Sequence, residues 1–564
     1  MEKIWQKSYG KGVPYSIRFE DITLPEALTR TAARFGERVA IGFQGTDITF
    51  RQFDQMVSRF AAALRRLHVK PGQKVSLILP NLIQTAVGIY GALRAGAVAV
   101  THNPRLDDMM LEYQLNTAAS EVVLCLDVLV PRILNLKSRT ALRQVISCHI
   151  RDYLPFLKKQ LFPLVKKELH LNTSGDAGVL EFTDLMEKNE PEKSLHRGHM
   201  EDTAFILFTS ATTGKPKGVE LTHANMTRNV QQVRTWFPSF RDGQETVVGC
   251  LPFFHVFGLT CALNISVFYG YTNVLVPLPE PKNILEALDQ YQATFIPALP
   301  TFYTGMMNEP SLKKFSLKSL RGCFCGGAPL ALETIRSFEK LTGAQICEGY
   351  GLTESSPVSL INPLGGKTKV GTIGLPLPNT DVKLLDVDDP QIEITVPGEP
   401  GELCVKGPQV MKGYVNMPEQ TEATLKDGWL LTGDIAVFDS DGYFSIVDRK
   451  KEMIITVDGK IYPRDVDEVL FTHPKIMEAC AIGVPDRAQG QIVKAYVVTK
   501  KGETPTAGEI IEHCKRHLPA NKVPKQIEFL KELPRSPVGK ILRKELRRMH
   551  LVQSALSTVK SGAN

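Results

Sequence analysis

The sequence has none of the features that mark membrane-spanning or secreted proteins. No apolar run approaches the roughly 20 residues that a membrane-spanning helix needs, and the first residues lack the apolar core of a signal peptide. The ten cysteines among 564 residues are irregularly spaced, with no CxxC pair and no Cys/His zinc pattern. We therefore expect a protein of the reducing cytoplasm without membrane spans, disulfides or a zinc finger.

A strong charge imbalance is also missing. Lys and Arg number 67 and Asp and Glu number 60, which gives a formal net charge of +7. Over so long a chain this excess does not favour nucleic acid as a partner, although a local basic patch would still suit phosphates or anionic lipid. Hydrophobic residues make up 43% and charged residues 23%, an ordinary balance for a folded protein, so disordered and multi-span membrane classes are excluded.

The length predicts more than one folding unit. From Leu24 onward, stretches with helical spacing alternate with short buried runs such as KVSLILP and EVVLCLD, a pattern typical of parallel-rich sheets covered by helices. Turn residues and a charge cluster near Asp448 precede a shorter β/α pattern. We expect an α/β protein with a large domain over residues 1–447, a connection at 448–451 and a small α+β domain over 452–564.

One basic segment, residues 150–170, stands apart from this alternation. Its apolar residues keep helical spacing and are interleaved with lysines: Ile150, Tyr153, Leu154, Leu157, Leu161, Leu164 and Val165, with Lys158, Lys159, Lys166 and Lys167. We expect a basic amphipathic helix interrupted at Pro163. Such a helix suits the surface of an anionic membrane, but it equally suits a helix that packs its apolar stripe on the main domain.

A loop rich in hydroxyls, glycine and lysine follows the strand-like run TAFILF. It has the sequence Thr209-Ser210-Ala211-Thr212-Thr213-Gly214-Lys215-Pro216-Lys217-Gly218. Backbone N–H groups, hydroxyl donors and two cations in one tight loop offer a binding site for a polyphosphate. The loop is not of the Walker type, which would need Gly at position 209 and Ser or Thr after Lys215. A polar surface loop without a ligand is the alternative.

Further motifs follow along the chain: LPFFHVFG at 251–258, CGGAPL at 325–330, EGYGLTE at 348–354, TGD at 432–434, DRKK at 448–451 and PRSPVGK at 534–540. Together with the phosphate loop they resemble the motifs of the AMP-forming acyl-activating superfamily, and the resemblance runs through nearly the whole chain. It implies a large nucleotide-binding domain and a small mobile domain that turns about a hinge at Lys451. It also implies a two-step reaction, in which a carboxylate attacks the α-phosphorus of ATP and a thiol then displaces AMP.

The resemblance assigns a nucleotide site to these motifs. The phosphates would contact the loop residues Thr209, Ser210, Ala211, Thr212, Thr213, Gly214 and Lys217. Adenine would lie between Tyr350 and the backbone of Gly326, Gly327 and Ala328, since stacking on an aromatic face leaves little room for bulk opposite. Asp434 and Arg449 would hold the ribose or phosphate. The set is completed by Pro329, Glu348, Gly349 and Gly351. Family members usually have glycine where this chain has Ala211, whose methyl group restricts positive φ angles.

The same resemblance assigns the reacting groups. Glu354, assisted by the Thr353 hydroxyl, would bind Mg²⁺, which prefers oxygen ligands. Lys540 would neutralise charge on the substrate carboxylate and the α-phosphate and then leave with the small domain. His255 would line the acyl entrance, and Gly459 would leave room for the pantetheine arm of coenzyme A. Taken singly, each residue also has an ordinary structural explanation, such as a turn carboxylate, a solvated lysine or a buried histidine.

The motif spellings and the basic segment most resemble bacterial long-chain fatty-acyl-CoA synthetases. The resemblance implies ATP, Mg²⁺ and coenzyme A as cofactors and a fatty acid as substrate. It also implies a cytoplasmic enzyme, with contact to an anionic membrane through residues 150–170 as an option. A homodimer is compatible with it, and no nucleic-acid partner is expected. Three alternatives stay open: a fatty-acyl-AMP ligase that loads a carrier protein, a ligase for medium-chain or aryl acids, and a non-catalytic lipid-binding protein of the membrane surface.

Overall fold

The computed structural model of the protein describes residues 3–173, 175, 178–191, 196, 198–209, 215–457, 459–486, 489–535 and 541–561, with side chains through 553. The expected alternation of helices and strands is confirmed. Sheets rich in parallel pairs, covered by helices, form the N-terminal part, and a smaller unit follows. Within the described part of the chain, none of the helices is both long and apolar enough to cross a membrane.

Two large sheets form the framework of the N-terminal part. In spatial order, the first runs through Leu375–Pro376, Val358–Ile361, Ile346–Gly351, Gly322–Gly326, Phe295–Ala298, Thr246–Gly249, Thr272–Leu275, Val39–Phe43 and Thr46–Thr49. The second runs through Gly413–Tyr414, Gly218–Thr222, Thr203–Phe208, Val98–Thr101, Lys74–Ile78, Val122–Leu126, Gln144–Cys148 and Val179–Glu181. The inner strands of both sheets pair in parallel, so the loops after neighbouring strands meet at one edge.

Three smaller sheets complete the fold. The third sheet, which is antiparallel, runs through Glu393–Ile394, Asp381–Leu385, Gly401–Lys406, Trp429–Phe438 and Leu425–Lys426, and Phe444–Arg449 also pairs with Trp429–Phe438. A hairpin joins Ile454–Thr456 to Gly459–Ile461, and the last sheet runs through Ile476–Asp486, Gly490–Thr499 and Gln526–Phe529.

The α-helices are mostly connections between strands. In the N-terminal part they are Leu24–Phe35, Phe50–Arg66, Ile83–Arg94, Asp108–Ala118, Val130–Lys137, Phe156–Val165, Phe182–Lys188, His223–Trp236, Val256–Gly258, Ile265–Tyr269, Pro281–Gln290, Pro300–Met307, Leu332–Thr342 and Pro418–Thr424. After residue 451 they are Pro463–Phe471, Ala507–His517 and Arg543–Ser561. A π-helical stretch, Leu259–Asn264, joins Val256–Gly258 to Ile265–Tyr269.

Local sequence accounts for the long helix Phe50–Arg66. Thr49 caps its start, because the Thr49 hydroxyl accepts from the Gln52 N–H at 3.2 Å and the Gln52 side chain accepts from the Thr49 N–H at 2.9 Å. The apolar residues Phe53, Val57 and Phe60 follow at helical spacing and are fully buried. They pack in a core that also contains residues of both large sheets and of the buried helix Ile83–Arg94.

The residues after position 451 pack around cores of their own. The main one joins the helices Pro463–Phe471 and Ala507–His517 to the strands of the last sheet. A link to the preceding part is polar: the Asp448 carboxylate accepts from the Arg464 N–H at 2.8 Å. Separate cores favour a division of the chain at 448–451, which stays a prediction.

The segment 150–170 differs from the single helix that its spacing predicts. It is broken into three short pieces, Ile150–Tyr153, Phe156–Val165 and Lys167–Leu169, of which only the middle one is α-helical. The break falls at Leu154, whose backbone is extended because a residue before proline is disfavoured in the α region. The predicted interruption at Pro163 is wrong, since Pro163 lies inside the helix near its C-terminal end.

Candidate active site

One cavity of about 730 Å³ contains most of the predicted site residues. It lies at the carboxyl ends of three parallel neighbours in the first sheet, Phe295–Ala298, Gly322–Gly326 and Ile346–Gly351. The loops after these strands line it, together with residues that follow Thr203–Phe208 in the second sheet. Ligand sites in α/β proteins often occupy this edge, where loops from neighbouring strands converge.

The predicted residues fall into three groups. Those that line the cavity are Thr209, Lys217, His255, Gly327, Ala328, Pro329, Gly349, Tyr350, Gly351, Thr353, Glu354, Arg449 and Lys451. Those that are described but do not line it are Glu348, Asp434 and Gly459. Those that lie outside the described residues are Ser210, Ala211, Thr212, Thr213, Gly214 and Lys540.

Glycine is needed at two points of the cavity wall. Gly327 has φ +87°, and a Cβ there would lie 3.1 Å from Leu299 Cδ2. A Cβ at Gly351 would lie 1.9 Å from the carbonyl oxygen of Pro357, a backbone atom that cannot move aside. The wall next to Tyr350 is therefore bare backbone, which suits a flat base stacked on an aromatic ring.

A hydrogen-bonded trio joins the first sheet to the third. The Tyr350 hydroxyl donates to Asp434 Oδ2 at 2.6 Å, and Arg449 Nε lies 3.0 Å from Asp434 Oδ1. The strand register places Asp434 directly opposite Arg449. Burial, and then the Asp434 charge, raise the pKa of Tyr350 well above its ordinary value, so the hydroxyl stays protonated. Asp434 is buried directly behind the two lining residues that it holds.

Glu354 lies in the turn after the strand Ile346–Gly351. Its Oε1 atom accepts a hydrogen bond from the Tyr414 hydroxyl at 2.8 Å, and Lys217 Nζ lies 4.4 Å from the centre of the Tyr414 ring. Burial, followed by the Glu354 charge, raises the pKa of Tyr414. Tyr414 therefore fixes the predicted metal ligand and a lysine of the phosphate loop at the same time.

The two ends of the phosphate loop are fastened to each other. The Thr209 N–H donates to the Lys217 carbonyl at 3.0 Å, and the Lys217 N–H donates to the Thr209 hydroxyl at 3.2 Å. Lys215 also lines the cavity, with Nζ 5.0 Å from the centre of the Tyr113 ring. The loop therefore begins and ends at the cavity, with two cations beside it.

His255 and Glu348 have different environments. Burial lowers the pKa of His255 to about 4, so the ring is neutral near pH 7, and its Nδ1 atom accepts from the Phe257 N–H at 3.3 Å. Glu348 is buried and accepts from the N–H groups of Leu330 and Gly371, and burial raises its pKa. Glu348 thus supports the loop that carries Ala328 rather than lining the cavity.

The C-terminal unit reaches the same cavity. Arg535 lines it, and Arg535 forms an antiparallel bridge with Ile541. Lys450 and Lys451 line the cavity as well, and Lys450 Nζ lies 2.7 Å from Glu402 Oε2. Gly459 lies elsewhere, in the hairpin that follows, where φ +118° favours glycine.

Sequence reasoning missed several lining residues. Tyr414 and Glu402 lie in strands of the second and third sheets, and neither has a distinctive local motif. Only their contacts with Glu354 and Lys450 single them out. The apolar residues Phe257 and Leu299 also line the cavity, and their approach to the nucleotide motifs depends on the tertiary fold.

Comparisons with known proteins agree with this geometry. The sequence model of the AMP-binding enzyme family matches residues 28–415, and that of the AMP-binding enzyme C-terminal domain matches residues 465–540. A long-chain-fatty-acid–CoA ligase of Bacillus subtilis (strain 168) is 40% identical over 97% of this chain and 98% of its own. The same-named protein of Salmonella typhimurium is 37% identical over the same shares. The crystal structure of ATP-bound MatB from Rhodopseudomonas palustris has a TM-score of 0.82 and 26% identity, and covers 94% of this chain and 99% of its own.

Proposed function

This chain belongs to the AMP-binding enzyme family, and on that premise we propose that it is a long-chain fatty acid–CoA ligase. The enzyme joins a fatty acid to ATP, which forms an acyl adenylate and pyrophosphate. The sulfur of coenzyme A then attacks the acyl carbon and AMP leaves. The observation that carries the proposal is the 40% identity, over 97% of the chain, to a relative of that name.

The cavity suits a nucleotide triphosphate. Tyr350 and the bare backbone at Gly327 would enclose the adenine, and Arg449, which Asp434 holds in place, would contact the ribose. Lys215 and Lys217 would meet the phosphates, on which negative charge develops during transfer, so electrostatic positioning is the main contribution of the protein. Each of these side chains lines the cavity or contacts a residue that does.

The donor set around Glu354 suits Mg²⁺. A hard cation takes oxygen ligands and usually keeps several waters, so one carboxylate is sufficient protein ligation when phosphates supply the rest. Glu354 and the Thr353 hydroxyl both line the cavity. When bound, Mg²⁺ supplies positive charge next to the phosphates. Tyr414 would hold the Glu354 carboxylate in place for it.

The apolar part of the same cavity would receive the acyl chain. Val256, Phe257, Leu299 and Phe324 line it next to the neutral His255. Each buried methylene contributes about 0.8 kcal/mol of binding free energy. Each added carbon should therefore raise kcat/KM by up to about fourfold. A neutral imidazole allows an apolar chain to pass without the cost of a buried charge.

An acid panel tests the proposal. We expect kcat/KM to rise from hexanoate through decanoate to palmitate, with release of AMP and pyrophosphate that depends on coenzyme A. Benzoate should be a poor substrate. Lys540→Ala, purified in parallel, controls for a ligase of the expression host. Transfer to a phosphopantetheinylated carrier protein with no turnover of coenzyme A would instead identify an acyl-AMP ligase, and an optimum at hexanoate or benzoate would contradict the long-chain substrate.

We also propose that residues 156–167 contact an anionic membrane surface. Phe156, Leu157, Leu161, Leu164 and Val165 have exposed fractions between 55% and 74%. The segment packs on the core through Ile150, Tyr153 and Leu154 at its start and through the partly buried Phe162 in the helix. An apolar helix face left in solvent beside lysines is typical of peripheral membrane helices.

Vesicle sedimentation tests this contact. Lys158 and Lys159 donate to the backbone carbonyls of Gln44 and Asp152, so they also hold the segment in place. We therefore choose Lys166 and Lys167, which are exposed. The double variant K166E/K167E should bind vesicles of phosphatidylglycerol and phosphatidylcholine about 30-fold more weakly, because each lysine near an anionic surface contributes about 1 kcal/mol.

A second pair of variants separates charge from apolar contact. L161S/L164S should also lower binding, and the loss should persist at high salt, where charge is screened. I392S/V396S, at two apolar side chains of similar exposure elsewhere on the surface, should bind as the wild type does. Equal binding by all variants would contradict the proposed surface.

A further inference from the structure

A second cluster of functional groups lies outside the cavity, where the two ends of the basic segment 150–170 meet. Asp127 follows the strand Val122–Leu126, and His149 follows its parallel neighbour Gln144–Cys148. His170 is the last residue of the basic segment 150–170, which His149 directly precedes. The two histidines therefore lie at opposite ends of this segment, and both imidazoles meet the same aspartate.

The contacts of Asp127 are unevenly distributed between its two oxygens. Asp127 Oδ2 lies 2.8 Å from His149 Nδ1 and 3.2 Å from His170 Nδ1, and it accepts from the Leu171 N–H at 2.7 Å. Asp127 Oδ1 is also buried, and among the described residues it has no hydrogen-bond partner. For a carboxylate whose side chain is 0% exposed, three contacts on one oxygen and none from the described residues on the other are unusual.

The tautomer of His149 makes the short contact between His149 and Asp127 harder to explain. Its Nε2 atom lies 3.1 Å from Glu181 Oε2, which can only accept, so Nε2 carries a hydrogen. In a neutral ring, Nδ1 then has a lone pair, and that lone pair faces Asp127 Oδ2 at 2.8 Å. Two lone pairs at this distance repel each other unless a proton or a metal ion lies between them.

We propose that Asp127, His149 and His170 bind one divalent transition-metal ion, with Zn²⁺ as the best match. The candidate ligand atoms all lie within 4.8 Å of one another. Ligand atoms about 2.0 Å from a tetrahedral zinc ion lie about 3.3 Å apart, so the 3.2 Å separation fits and the 2.8 Å separation must open slightly. Imidazole and carboxylate ligands suit zinc and its neighbours in the transition series.

Glu181 provides the outer support that such sites use. A metal-bound histidine usually donates its other N–H to a carboxylate, which fixes the ring and the tautomer. Glu181 does this for His149, and Glu181 is itself held by the Thr173 hydroxyl at 2.7 Å. His149 and His170 are 12% and 16% exposed, so an ion can enter from solvent and water can complete the coordination.

The position of the site means that a bound ion would affect residues 150–169. Because its two histidines flank residues 150–169, one ion would fix both ends of that segment at a single point. The site does not depend on the proposed function, since none of its residues lines the nucleotide cavity.

The test uses the full chain, freed of metal with a chelator and titrated with zinc chloride in a calorimeter without nucleotide. We expect one ion per chain, and cobalt(II) should give the visible absorption of a tetrahedral site. H149Q and H170Q should each weaken binding at least 100-fold, and E181Q about 10-fold, since outer carboxylates contribute 10–100-fold. H68Q, at an exposed histidine elsewhere, should bind as the wild type does.

Trypsin gives a second readout, because Lys158 and Lys166 are exposed within the segment. Zinc should slow cleavage there several-fold in the wild type and not in H170Q. If H149Q fails to fold, H170Q and E181Q still decide the outcome. Absence of one-to-one uptake, or equal uptake by these variants, would contradict the site and leave a proton between His149 and Asp127.

Discussion

Replacing Lys540 by alanine should slow acyl-adenylate formation by about 1,000-fold, the upper range for loss of one group that stabilises transition-state charge. Lys540 lies outside the described residues, but Arg535, five positions earlier, lines the cavity and forms a bridge with Ile541. We propose, from the family resemblance, that Lys540 reaches the substrate carboxylate and the α-phosphate. Its ammonium group would stabilise charge without giving up a proton.

The second half-reaction distinguishes a role in adenylation from general damage. K540A supplied with synthetic acyl adenylate and coenzyme A should form the thioester at close to the wild-type rate, because the small domain is proposed to have turned away by then. Pyrophosphate release measures the first step and thioester formation the second. K531A, at an exposed lysine of the same domain, is the matched control. Equal loss in both steps would remove Lys540 from the proposed role.

Replacing Glu354 by glutamine should lower kcat about 100-fold and raise the Mg²⁺ concentration needed for half-maximal rate. The amide keeps the size and the hydrogen bond to the Tyr414 hydroxyl but removes the negative charge that a hard cation requires. Titration of Mg²⁺ at saturating ATP measures the effect. An unchanged Mg²⁺ requirement in E354Q would show that the ion is held elsewhere.

Tyr414→Phe is the matched control for Glu354. It removes the 2.8 Å hydrogen bond but keeps the carboxylate and the ring under Lys217. A hydrogen bond to a charged group contributes about 1.5–3 kcal/mol, and most of that loss should appear as a higher Mg²⁺ requirement rather than a lower kcat. A Y414F variant as impaired in kcat as E354Q would show that the ring, rather than the charge, limits the reaction.

Sequence reasoning succeeded where the signal is local. The helical spacing of Phe53, Val57 and Phe60 is visible in the sequence and is confirmed by the helix Phe50–Arg66. The motifs around Tyr350 and Glu354 are contiguous, so their presence in one cavity could be expected from the resemblance. These features depend on residues that are neighbours in the chain, so they can be read directly from the sequence.

The features that sequence reasoning missed depend on pairings between strands that are distant in the chain. Tyr414 meets Glu354 only because Gly413–Tyr414 pairs with Gly218–Thr222 at the end of the second sheet. The meeting of Asp127, His149 and His170 depends likewise on the register of two parallel strands and on the return of a long segment. A search for zinc patterns of fixed spacing passes over three ligands separated by 22 and 21 residues.

The contact between Lys450 and Glu402 would limit any rotation of the small domain about Lys451, the hinge that the family resemblance implies. Glu402 accepts from Lys450 Nζ through one oxygen and from the Gly433 N–H through the other. Lys450 is therefore held against the large domain. A rotation at Lys451 would therefore begin one residue after a fixed point. If the small domain turns there, very few backbone torsions would set its path, and each of its orientations would be reproducible from one turnover to the next.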